Sequence, residues 1–280
     1  MIPGFHTISL LLHDEVTAIE QLAVLGFKAV AIRPRLSGLH LSLPDFDEQA
    51  KRIADAAEKH QLELVLDLSG SFLEDPFRAR GSSLVSTDTN ESSRAAQSLK
   101  TWIDVSPLLS VKVISFSSGP RTGDVAENAG GALERLAHAL EPLLHVADAN
   151  EVRLAVRPAT ADVIGSVAQY ERFLQWLSPD SSLSVAPDVG EMLLGGEFPV
   201  GERLARHHRR MACLYLCEPE SESEQARDQR IGRGDIDLMR VWGAVEASGF
   251  DGPAIFRVFG HSERGLDLAS ETIQMLQSPH

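Results

Sequence analysis

Three arginines stand where short apolar runs stop: Arg33 in AIRP, Arg157 in AVRP and Arg257 in IFRV. Asp67 and Asp188 close two further runs, Ser117 another, and Tyr215 with Cys217 a fourth. A guanidinium withdrawn from water needs an anionic partner, because uncompensated desolvation is costly. Its planar fork matches carboxylate or phosphate. Asp188 and Asp67 can answer two of the arginines, so the third is expected to take an external anion. Singly, each arginine is equally well read as a structural ion pair; the three together favour a ligand. Asp188 flanked by arginines is a weak base, because the cations favour its ionised form. Proton transfer would then fall to Glu191, Glu218, Tyr215 or His261, among which residue type does not choose.

Other stretches have plainer readings. In Arg230–Asp237, the glycines allow tight turns and Asp237 can cap the next helix. The sharper alternative there is anion binding by backbone amides near a helix N-terminus. The acidic segment Glu218–Gln229 reads as a solvated loop, or as a lid. His207–Arg210 reads as a helix C-terminal charge complement. His6 and His261 are the histidines placed nearest the ends of strands. No HExxH, GxSxG, P-loop or CxxC pattern occurs.

These residues must be held by the elements around them. Strands are predicted near Phe5–Leu10, Ala29–Arg33, Leu62–Asp67, Lys112–Ser117, Val152–Arg157, Leu183–Asp188, Ala212–Cys217 and Pro253–Arg257. Three- and four-residue apolar spacing predicts helices over Glu15–Leu25, Phe46–His60, Ser93–Leu109, Ala126–Ala149, Gln169–Leu177, Asp237–Ser248 and Leu266–Leu276. Ser42-Leu43-Pro44-Asp45 resembles a capping box, and Gly26 and Gly249 suit the left-handed position after a helix. Unbroken β/α alternation predicts one closed (β/α)8 TIM barrel over residues 1–280, with its site on the C-terminal ends of the strands. An open doubly wound sheet is disfavoured, because Leu11-Leu12-His13-Asp14 lacks the glycine fingerprint. Strand alternation turns the three arginines into the barrel if Val30, Ile32, Leu154, Val156, Ala254 and Phe256 face the helices.

Composition bounds the partners. The 280 residues carry a formal net charge of −14, which disfavours nucleic acid. No run reaches the ~18 apolar residues of a membrane span, and the N-terminal stretch lacks a signal peptide's basic region. In a strand, Cys213 and Cys217 would lie roughly 13 Å apart at ~3.3 Å per residue, beyond the ~7 Å reach of a disulfide. Two reduced thiols and a cytoplasmic location are expected.

The segments Gly26-Phe27-Lys28-Ala29-Val30, Asp188-Val189-Gly190, Gly232-Arg233-Gly234-Asp235-Ile236-Asp237 and Gly249-Phe250-Asp251-Gly252 occur in that order. With Phe72–Pro76 and Ser115–Gly119, they make the chain resemble the xylose-isomerase-like TIM-barrel family of sugar phosphate isomerases and epimerases. The resemblance implies a divalent metal held by Glu, Asp, His and Glu at the ends of strands five to eight, with the two Glu moving protons. The matching positions here are Arg157, Asp188, Tyr215 and Arg257. The usual substrate-contacting His is Glu191, and the usual Asp after strand seven is Glu218. Arginines at ligand positions repel a dication, so the expectation is no metal and no other cofactor.

The expected pocket therefore binds a small anionic sugar or polyol derivative, clamped by Arg157 and Arg257. Asp188 and Tyr215 are its candidate catalytic or orienting groups, and Arg33, Glu191, Glu218 and His261 further candidate contacts. The sequence leaves open whether this is an isomerase or epimerase, or a non-catalytic relative serving as a metabolite-binding or partner subunit. No nucleic-acid or membrane partner is expected; homo-oligomerisation is open.

Overall fold

A computed structural model of the protein describes residues 1–121, 123, 128–220, 227–234 and 236–277. Eight parallel strands run β1 (Ile2–His6), β2 (Ala29–Ile32), β3 (Glu63–Leu68), β4 (Val113–Phe116), β5 (Arg153–Val156), β6 (Ser184–Val185), β7 (Leu214–Leu216) and β8 (Pro253–Phe256). Their order around the sheet is β6-β5-β4-β3-β2-β1-β8-β7. The remaining seam, β6 against β7, closes by parallel bridges at Val185–Met211 and Asp188–Tyr215. Ala212 N donates to Val185 O and Tyr215 N to Pro187 O, both at 2.9 Å. Pro187 has no N–H to contribute, which interrupts this ladder.

The helices are α1 (Glu15–Leu25), α2 (Phe46–Lys59), α3 (Thr89–Val105), α4 (Ala129–Ala149), α5 (Val167–Phe173), α6 (Val189–Leu194), α7 (Val200–His207), α8 (Leu238–Ala247) and α9 (Gly265–Gln277). Gly26 and Gly249 take positive φ after α1 and α8 (106° and 88°), where a side chain would be strained. Asp237 caps α8 by accepting from Arg240 N.

Four local expectations need correction. β1 lies upstream of Phe5–Leu10, because Thr7–Leu10 winds into a 3-10 turn in which the His6 side chain accepts from Ile8 N. Ser42–Asp45 forms no capping box: Asp45 makes no side-chain cap bond, and Ser42 instead meets His40. The short helices α6 and α7 were not expected, since six and eight residues carry too few turns for a periodic signal. α3 starts at Thr89 rather than Ser93, because Asp88 caps it.

Two apolar layers form. Val30, Ile32, Leu154, Val156, Ala254 and Phe256 pack with the helices in the outer layer, which turns Arg33, Arg157 and Arg257 inward. Ala29, Ala31, Val65, Val113, Ala155, Ala186, Cys213, Tyr215 and Ile255 fill the barrel interior. Alternation at two residues per repeat then delivers each inward row to a polar end: Ala31 to Arg33, Val65 to Asp67, Val113 to Ser115, Ala155 to Arg157, Ala186 to Asp188 and Ile255 to Arg257. Among the described residues, no helix is long and apolar enough to cross a membrane.

Candidate functional site

The polar ends meet as one layer across the C-terminal mouth. Asp67 accepts from Arg33 Nη2 at 2.6 Å, from Arg157 Nη1 at 3.0 Å and from His6 Nε2 at 2.9 Å. Asp188 Oδ2 accepts from Arg157 Nη2, and from Arg257 Nη1 at 3.0 Å. Its other oxygen accepts from the Cys217 thiol at 3.1 Å and from Glu191 N at 3.3 Å. Asp228 then takes Arg257 in a two-pronged pair, at 2.8 and 3.1 Å. Asp228 answers the third arginine, so no external anion is required. Three arginines face three aspartates, so the layer is charge-balanced without a ligand.

This layer is a floor rather than an open cleft. Asp188 is 1% exposed and Arg157 6%; Arg33 and Arg257 keep 20% and 17% of their side chains accessible. Tyr215 is wholly buried, its hydroxyl 2.7 Å from Ser115 Oγ. The Arg157 guanidinium lies over its ring at 4.2 Å, in cation–π range.

The protonation states follow from this packing. Burial works to raise both Asp67 and Asp188, but the arginines beside each overcome it and hold both well below the usual carboxylate range. Burial, against the pull of Asp67, lowers His6 to about 4. His6 is therefore neutral near pH 7, with Nδ1 accepting from Ile8 N at 3.1 Å and Nε2–H donating to Asp67. Burial pushes the Tyr215 hydroxyl and the Cys217 thiol up, so both stay protonated.

The other candidates stand around the rim. Glu191 accepts from Thr160 N and Oγ1 at 2.8 and 3.1 Å. Glu218 accepts from Ile236 N at 3.2 Å, so one amide of the expected anion-binding turn already meets a carboxylate of the chain; Asp235 lies outside the described residues. His261 lies in the loop beyond β8, donating from Nε2 to Asp228 O at 3.0 Å and accepting at Nδ1 from Arg227 at 3.1 Å. Half of the expected lid, 221–226, also lies outside the described residues. His207–Arg210 ends α7 and precedes β7, on the face away from the floor.

Two groups escaped the sequence reading. Asp228 sits in an acidic run without periodicity, and nothing local marks it. Asp162, 9% exposed, accepts from Ser117 Oγ at 2.6 Å, and burial raises its carboxyl above the ordinary range. Extending the β4 alternation to Ser117 would have pointed toward it.

The family's metal does not fit these residues. Both oxygens of Asp188 are committed, two guanidinium groups stand beside it, and they would repel a dication. Among the described residues, no group of three or more His, Cys, Asp or Glu is placed to hold a metal ion.

A closed parallel barrel with polar residues gathered at its C-terminal strand ends defines a (β/α)8 protein. The model of the xylose isomerase-like TIM barrel family matches residues 19–278, and the chain belongs to that family. No curated protein matches it in sequence. Among solved structures, it is similar to D-psicose 3-epimerase from Clostridium cellulolyticum H10, crystallised with D-tagatose: TM-score 0.77, 18% identity, 99% of this chain and 98% of that one. It is also similar to the 3-keto-D-glucoside 4-epimerase YcjR from E. coli: TM-score 0.76, 11% identity, 99% of each chain. L-Ribulose 3-epimerase matches with TM-score 0.73 and 16% identity, over 100% of this chain and 99% of the other. At these identities the likeness is one of fold.

Proposed function

We propose that this protein binds a small sugar or polyol derivative at the C-terminal face of its barrel and does so without a metal. The observation that carries the reading is the state of Asp188. The carboxylate that would anchor a metal is buried beneath Arg157 and Arg257, with both oxygens spent. An ion-pair floor stands in for the cationic centre, and ligand contacts come from the exposed edges of Arg33 and Arg257 and from the rim. Asp188 and Tyr215 support that floor from below instead of moving protons; binding without metal-based epimerisation is the consequence. Because the floor is charge-balanced, an anionic substituent on the ligand would be recognised weakly.

Calorimetry with Mn²⁺ and with D-tagatose tests this. The expected outcome is heat from the sugar and no stoichiometric heat from manganese. One tightly bound manganese per chain would overturn the metal-free reading.

Asp162 favours a second reading, a metal-independent epimerase. A carboxyl whose pKa burial raises, beside a ligand site, is better suited to proton transfer than an ordinary exposed carboxylate. Under that reading, C–H deuterium exchange into a ketose proceeds in the presence of a chelator and stops in Asp162→Asn.

A further inference from the structure

On the outside of the barrel, two stripes of opposite charge flank an exposed tryptophan. On α4, Glu134, Glu141 and Asp148 recur every seven residues, about two helical turns, and so share one face. Glu134 and Asp148 are exposed and Glu141 is half-buried. Four arginines fall within Arg203–Arg210, on α7 and the turn after it. Arg206, Arg209 and Arg210 are exposed, and Glu202 is the carboxylate of α7. This cluster of positive charge stands on a chain of net charge −14.

The run after α5 lies between the stripes and touches both. On one flank, Glu141 accepts from Ser178 N and Oγ at 3.1 and 2.7 Å, and Asp148 from Ser182 Oγ at 3.0 Å. On the other, Arg210 donates to Ser181 O at 2.9 Å, and His207 stands 3.4 Å from Glu171 of α5. Asp148 and Arg210 thus meet adjacent residues, which sets the stripes level with each other. Trp176, in the same run, is 46% exposed. A groove of about 440 Å³ separates it from Glu134, His138 and Glu141 of α4. Among the described residues, no ion pair joins the two stripes, and the side chains of Glu134, Arg206 and Arg209 have no hydrogen-bond or ion-pair partner.

Two level stripes of opposite sign are self-complementary. A two-fold axis running between them, along their length, exchanges left for right. It lays the arginines of each copy on the carboxylates of the other, twice, and brings both Trp176 side chains near the axis. Trp and Arg are the types that most often anchor interfaces. A nucleic acid would meet the acidic stripe and the overall negative field beside the arginines. A second copy meets charge of the right sign on both flanks. We infer that this face is a self-association surface, forming a two-fold dimer in which Arg206 and Arg209 of each copy meet the α4 carboxylates of the other around Trp176. The surface is independent of what the barrel binds.

Sedimentation velocity of the full chain tests this. In about 50 mM NaCl, the expected species has twice the 30.5 kDa mass of the chain. About 1 M NaCl, where charge is screened beyond about 3 Å, should raise the dimer Kd at least about tenfold, and so should Trp176→Ala. Arg206→Glu with Arg209→Glu should give a monomer of unchanged melting temperature, and so should Glu134→Arg with Asp148→Arg. Mixing these two variants should restore a dimer, because each reversed stripe then faces its opposite. A wild-type chain that stays monomeric at low salt up to about 100 µM would overturn the inference. A dimer indifferent to both reversals, or reversals that mixing fails to rescue, would overturn it too. A monomer retained on heparin through Arg206 and Arg209 would assign the patch to a polyanion instead.

Discussion

The floor of the barrel mouth and the cavity beside it treat polar groups in opposite ways. In the floor, Arg33, Arg157 and Arg257 are answered by Asp67, Asp188 and Asp228 within 3.1 Å. Beside the cavity, which opens between the β3–α3 loop, α3 and the end of β4, the buried Trp102 indole N–H has no partner among the described residues, and Glu74 and Glu91 are among the residues that line the space. A group whose partners are all internal contributes to folding; a buried group left unanswered costs it. The arginines draw attention in the sequence, yet their charge is spent internally. The quieter Trp102 keeps its N–H unpaired among the described residues.

Removing a floor carboxylate should produce the largest effect. Asp188→Ala leaves Arg157 and Arg257 short of their shared anion, and removing one member of a buried ion cluster costs about 3–5 kcal/mol. Urea unfolding measures it. A loss below about 1 kcal/mol would mean that the floor is looser than its distances imply.

Acid should act on the same region through His6. Its folded pKa, about 4, lies below the ordinary 6.5, so protons bind the unfolded chain preferentially. The contribution of His6 to stability is complete above about pH 6.5, falls as pH drops through the window between those values and is lost below about 4, an amount of order 3 kcal/mol. Denaturant midpoints across pH 4–7 should show this slope, and His6→Gln should flatten it. The low values of Asp67 and Asp188 place their own losses below this window, under the ordinary 3.8 of an aspartate.

The cavity should respond least, and with either sign. Trp102→Phe keeps most of the ring and removes the unanswered N–H, so the expected change in stability is within about 1 kcal/mol and can be favourable. A loss of several kcal/mol in thermal unfolding would mean that the indole has a structural partner. The contrast between the two regions would then collapse.

Much of this arrangement is legible along the chain. The alternation of Ala29-Val30-Ala31-Ile32-Arg33, and its counterparts before Arg157 and Arg257, places three guanidinium groups inside a barrel. A period of two leaves only one face for them once Val30, Ile32, Leu154, Val156, Ala254 and Phe256 face the helices. The matches at Gly26–Val30 and Asp188–Gly190 point to the family. The floor's neutrality is not legible. Asp228 lies in a polar loop, pairs with Arg257 across 29 positions and has no local pattern to declare it.

Sequence by itself therefore determined the barrel and the inward parity of the arginines, because each follows from local periodicity or residue identity. Tertiary structure decided what those residues do. It brought Asp67 and Asp228 to the arginines, sealed Tyr215 beneath Arg157 and left Trp102 unanswered beside a cavity. Partnership depends on distances across the barrel, and a linear order of residues carries no such distances.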